Sequence, residues 1–198
     1  ANVAAMAPMC DAISVREVSG VALCQKYLGV EAMCMIDPTL LLNAEDYTRL
    51  IGEDTPPSPG NMMCYVLDRN EEKDALVNDI ANKKGLQPFP TNSRTEDYKA
   101  TLQERIQPPV EQWLQGFRDA EFVVTDSFHA CIFSILYRKP FVVIGNKSRG
   151  MTRFESLLWM FGLEERLITS YEDYKLKEEK LLGPIDYEPI YRILADKR

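Results

Sequence analysis

Three short apolar runs, Met62–Leu67, Glu121–Thr125 and Phe141–Ile144, constrain the fold of this chain more than any other feature. Each leads into a stretch with helical periodicity, and that alternation is the signature of βαβ units around a mainly parallel sheet. After Thr125, the residues Phe128, Cys131, Ile132, Ile135 and Leu136 fall at i, i+3, i+4, i+7 and i+8, the stripe of a core-facing helix. Behind Pro109, Val110, Trp113, Leu114 and Phe117 repeat the pattern, and 71–84 places Leu76, Val77, Ile80 and Ala81 on one face between an Asn70 cap and a Gly85 stop. Further strands are expected over 11–15, 31–36 and 86–89. Further helices are expected over 17–27, from Asn43 to about Ile51, and over 153–161, 172–182 and 187–196. In the helix over 17–27, Val21, Leu23, Cys24 and Tyr27 are the expected buried positions, with Gly29 as its stop. Residues 55–60 (T-P-P-S-P-G) are a loop, and 90–108 is polar and poorly periodic. The expectation is one α/β domain over residues 1–198, Rossmann-like, with helices on both faces of the sheet.

Composition narrows the function classes. The 198 residues carry 23 Lys and Arg against 30 Asp and Glu, a net charge of −7, which argues against nucleic acid or an anionic membrane as a general partner. No apolar run approaches the ~20 residues of a transmembrane segment. Residues 1–9 read as the end of a helix that begins earlier, so a longer protein is expected. The five cysteines are odd in number and nowhere form C-x-x-C, and there is one histidine. They are expected to be buried thiols in a reducing, cytoplasmic setting, with neither a metal site nor a cofactor.

Chemistry in an open α/β sheet sits where strands end and the next helices begin. Three such junctions carry polar residues: 14–17 (S-V-R-E), 125–129 (T-D-S-F-H) and 145–153 (G-N-K-S-R-G-M-T-R). His129 falls in the first turn of a helix, where free backbone N–H groups and the helix dipole favour an anion and an imidazole can exchange a proton. The bland alternative is a capping or packing histidine. Arg16, directly after a strand, suits bidentate capture of a carboxylate or phosphate, or else pairs with Glu17. Lys147, Arg149 and Arg153 form a basic cluster beside the flexible Gly150, either an anion-binding loop or a solvated one. Neither G-x-G-x-x-G nor a P-loop motif occurs, and nothing resembles a nucleophile elbow.

Taken together, residues 11–32 (D-A-I-S-V-R-E-V-S-G-V-A-L-C-Q-K-Y-L-G-V-E-A), 36–42 (I-D-P-T-L-L-L), 122–145 (F-V-V-T-D-S-F-H-A-C-I-F-S-I-L-Y-R-K-P-F-V-V-I-G) and 152–168 (T-R-F-E-S-L-L-W-M-F-G-L-E-E-R-L-I) resemble the polysaccharide pyruvyl transferase family. The resemblance implies the C-terminal half of a glycosyltransferase-B-like architecture, with a preceding domain absent here and residues 1–9 ending an inter-domain helix. It also implies an enzyme that moves pyruvate from phosphoenolpyruvate onto two hydroxyls of a sugar or lipid-linked glycan, in bacterial exopolysaccharide synthesis, the isolated fragment being inactive. His129 would be the catalytic proton carrier, and Arg16, Ser127, Phe128, Arg149 and Arg153 would bind substrate. The better-defined members of the family place Arg-Leu before the histidine where this chain has Ser127-Phe128. Either Arg149 or Arg153 then replaces the lost cation, or the donor differs. The alternatives are a nucleotide-sugar glycosyltransferase of the same architecture, with Glu155 or Glu164 on the ribose hydroxyls, or a catalytically silent glycan-binding domain.

Overall fold

The computed structural model describes residues 3–93, 98–145 and 150–198. A short helix α1 (Val3–Met6) leads into a small βαβ unit of β1 (Ser14–Val15), α2 (Val18–Leu28) and β2 (Met33–Cys34). A 3-10 turn at Pro38–Leu41 and helix α3 (Ala44–Thr48) then carry the chain into the larger part. That part runs β3 (Met62–Tyr65), α4 (Glu71–Lys84), β4 (Pro88–Pro90), α5 (Leu102–Arg105), α6 (Val110–Asp119), β5 (Phe122–Thr125) and α7 (Phe128–Leu136). It continues with β6 (Phe141–Ile144), α8 (Met151–Phe161), β7 (Leu167–Ile168), α9 (Tyr171–Leu182) and α10 (Tyr187–Lys197). The main sheet has the order β4-β3-β5-β6-β7, parallel throughout.

The apolar runs behave as strands covered on both faces should, with every residue of β5 and β6 buried. Because side chains alternate along a strand, each feeds two cores. Met63, Val123, Phe141 and Val143 point into the larger one, with Leu114, Phe117, Ile132, Phe154 and Ile190. Met62, Cys64, Phe122, Val124, Val142 and Ile144 point into the other, with Leu76, Ile80, Tyr174 and Leu181 from α4 and α9. Counted in chain order within this sheet, the strands run 2-1-3-4-5. The order reverses between β3 and β5, the doubly wound arrangement whose switch point lies outside the carboxyl ends of those two strands.

The helices follow their sequence signals closely. Asn70 caps α4 through a bond from the Lys73 N–H, and Gly85 ends it with φ +64°. Several features depart from the reading of the sequence, among them the short helix α5 inside the polar stretch 90–108. Among the described residues, β1 and β2 pair only with each other, as a second parallel sheet apart from the main one. As a result α2 has little to cover it. Cys24 is buried, but Leu23 and Tyr27 are 51% and 62% exposed, since β1, β2, α1 and α8 together offer too narrow a surface for a whole apolar face. The edge strand β7 gave no signal, because two residues cannot show a period.

All five thiols are unbridged. Cys24, Cys64 and Cys131 are buried, as small hydrophobes would be, while Cys10 is exposed and Cys34 half-buried. Burial pushes the Cys64 thiol up to about 12. Among the described residues no helix is long and apolar enough to cross a membrane.

Candidate functional site

The segment Thr125–His129 gives each side chain a separate task. The Thr125 hydroxyl donates to the Tyr65 carbonyl at the end of β3 (2.7 Å) and accepts from the Ser127 N–H (2.9 Å). Asp126 is 1% exposed. Its carboxylate accepts from the backbone N–H groups of Leu67 (2.7 Å) and Asp68 (3.0 Å) and from Lys73 Nζ (2.7 Å). The carboxyl ends of β3 and β5 are thus fastened to each other and to α4 at the switch point. Ser127 caps α7, its Oγ accepting from the Ala130 N–H. Phe128 turns its ring inward, and His129 stands exposed in the first turn of α7, the two rings edge to face at 5.5 Å.

Two cations converge on that phenylalanine. The guanidinium carbon of Arg16 lies 5.0 Å from the centre of the Phe128 ring, and that of Arg153 lies 5.5 Å from it. Both are within the ~6 Å over which an aromatic ring attracts a cation. Arg16 follows β1, Phe128 and His129 open α7, and Arg153 lies in the first turn of α8, so three separate strand-to-helix junctions supply one cluster. Polar contacts hold the junctions before α2 and α8 together, from Thr152 Oγ1 to Glu17 Oε2 (2.8 Å) and from the Val18 N–H to Ser156 Oγ (3.3 Å). Gly150, just before α8, has φ +87°, a conformation side chains rarely accept.

Arg16 is oriented by Asp37, three residues beyond β2. Its Nη1 donates to Asp37 Oδ2 at 2.7 Å, and the same carboxylate accepts from the Thr39 N–H. Ile36 and Leu40, on either side, belong to the main core, so Asp37 is a fixed anchor. Burial raises the Asp37 pKa, but the bonds from Arg16 and Thr39 outweigh it and hold the carboxyl below the usual carboxylate range. A depressed pKa means that the contact stabilises the fold above pH ~4 and is lost as pH falls through the lowered value. Arg16 is 36% exposed, so screening keeps the contribution to about 1 kcal/mol. Between pH 5 and 3 the melting temperature of the unmodified protein should therefore fall by about 2–4 °C more than that of Asp37→Asn. Parallel melting curves over this range would show the ion pair to be idle.

The structure therefore brings together Arg16, Phe128, His129 and Arg153. It sets Ser127 beneath them as a cap, with Phe128 as the surface on which the cations rest. Lys147 and Arg149 lie outside the described residues. Asp37 and the Lys73–Asp126 pair escaped the sequence reading. The Asp-Pro at the end of a strand-type run was the available signal for Asp37, by the same rule of position that singled out Arg16. Among the described residues no group of three or more His, Cys, Asp or Glu is placed to hold a metal ion. Two guanidiniums around an apolar ring, beside an exposed imidazole at a helix start, suit binding of a small anion and transfer of a proton to or from it.

The family model described as polysaccharide pyruvyl transferase matches residues 2–148, a span that includes Arg16, Asp37 and the whole 125–129 segment. No curated protein matches the chain.

Proposed function

Since the chain belongs to the polysaccharide pyruvyl transferase family, we propose that Arg16 and Arg153 bind phosphoenolpyruvate and that His129 carries the proton of its transfer to a glycan. The observation that supports this reading is the convergence of both guanidiniums on Phe128, next to the histidine. In the better-defined family members a cation precedes the histidine. Here Ser127 holds no charge, and Arg153 stands over the adjacent ring in its stead.

The reaction sets the demands on the site. Protonation of the methylene carbon of the enol makes the neighbouring carbon electrophilic. A sugar hydroxyl adds there and loses its proton, and a second hydroxyl closes the ketal as inorganic phosphate departs. The carbon gains one proton, the hydroxyls lose two, and the second leaves with phosphate. His129 serves as acid and then as base, while the arginines hold carboxylate and phosphate in a partly desolvated setting. Burying such charge without partners would cost several kcal/mol.

Both outer edges of the β1–β2 sheet are unpaired among the described residues, and parallel strands of this kind normally lie between covering layers. That supports a two-lobed, glycosyltransferase-B-like whole in which β1, α2 and β2 continue a preceding lobe that helps to hold the glycan. Bacterial exopolysaccharide synthesis in the cytoplasm is the setting this reading proposes.

Donor binding tests it. Arg16→Ala in the full-length protein should raise the phosphoenolpyruvate dissociation constant at least tenfold, about 1.4 kcal/mol, and Arg153→Ala should do the same. Unchanged binding in both single variants and in the double variant would place the donor elsewhere.

A further inference from the structure

Helix α8 carries a second feature beyond Arg153. Trp159 is 67% exposed, whereas the other tryptophan, Trp113, packs among Tyr65, Phe117 and Phe133. Trp159 lines a groove of about 340 Å³ along the seam between α2 and α8, with Val18, Glu155, Ser156, Glu164 and Leu167. Glu155 and Trp159 are four residues apart on one helix and share a face. Glu155 and Glu164 are both exposed.

The mixture of groups selects the ligand. The indole offers a broad apolar face, and carboxylates can only accept hydrogen bonds, so the ligand must pair an apolar face with hydroxyl donors around its rim. A pyranose ring does so, with C–H groups over the indole and hydroxyls directed at the two carboxylates. A phosphate or another carboxylate would be repelled. An apolar protein surface would desolvate both acids without a partner. The groove and the proposed reaction centre share two elements: Val18, in the groove lining, is two residues beyond Arg16 and donates its N–H to Ser156. Arg153 lies six residues, about 9 Å of helix, before Trp159.

We propose that Trp159, with Glu155 and Glu164, is a pyranose platform that holds the acceptor glycan next to the Arg16–His129 cluster. The assignment of the bound sugar as acceptor rests on the pyruvyl-transfer reading. The platform itself is tested without turnover, by titrating the full-length protein with lactose and with cellobiose, using saturation-transfer NMR, and with uridine diphosphate as comparator. The disaccharides should bind. Trp159→Ala should weaken them at least tenfold while Trp159→Phe retains part of the affinity, and Glu155→Gln combined with Glu164→Gln should weaken them severalfold. Phosphoenolpyruvate affinity should not change in any of these variants. Equal disaccharide binding by Trp159→Ala, no binding by the unmodified protein, or uridine diphosphate in the groove in place of sugar would each overturn the platform. Failure of the unmodified protein to bind phosphoenolpyruvate would instead strike the pyruvyl-transfer reading and leave the groove assignment standing.

Discussion

If His129 carries the proton as proposed, replacing it by Ala in the full-length protein is expected to lower pyruvyl-transfer turnover about 10²–10⁴-fold, the usual worth of a positioned acid–base group. The fold should survive. His129 is exposed, and α7 is held by its neighbours: Ser127 caps it, and Ala130, Cys131, Ile132, Phe133, Ile135 and Leu136 are buried in the core. Phe128 and the two arginines do not require the imidazole to stay in place, so donor affinity should change much less than turnover. Steady-state kinetics together with a melting curve separate the outcomes. A sharp drop in melting temperature with normal turnover in the remaining folded protein would make the histidine structural.

The largest stability effect belongs to Asp126. Asp126→Ala leaves the Lys73 ammonium, 11% exposed, without its carboxylate and deprives the Leu67 and Asp68 N–H groups of their acceptor. Breaking a buried pair by removing one partner costs about 3–5 kcal/mol, because the other charge stays behind uncompensated. For a chain of this size that is a fall of about 6–20 °C in melting temperature. Lys73 retains the Asp68 carbonyl at 2.7 Å, which keeps the loss toward the lower end. A fall under 2 °C would mean that the ends of β3 and β5 are held by the sheet alone.

What the sequence disclosed follows from which forces are local. Strands covered on both faces must be apolar throughout, so Phe122–Thr125 and Phe141–Ile144 announced themselves, and the caps at Asn70, Gly85 and Gly29 are decided by neighbours a few residues away. The second sheet was hidden because strand-type residues do not state their pairing partner. The exposed Leu23 and Tyr27 were misjudged for a related reason, since periodicity marks an apolar face without saying what covers it. At the site, position after a strand was enough to single out Arg16, His129 and Arg153. Their meeting over Phe128 was not legible, and neither was Asp37, whose partner is 21 residues away along the chain. Asp126 shows the limit most clearly. It sits in the middle of the site segment, yet its carboxylate faces β3 and α4.

The order of the main sheet also sets a clock for assembly. Its central pair joins Met62 to Phe122, 60 residues apart, whereas β3 meets β4 only 26 residues on. Closing a 60-residue loop costs about 3–4 kcal/mol of chain entropy before any contact repays it. At translation speeds of 5–20 residues per second, β3 waits roughly 3–12 s for that neighbour. During the wait one flank of Met62–Tyr65 stays open, and the Leu67 and Asp68 N–H groups lack their acceptor. When β5 arrives, Asp126 and His129 arrive directly behind it. Closing the sheet and setting the imidazole are one event, so in refolding, native strand pairing and the proposed proton-transfer site should emerge with a single rate.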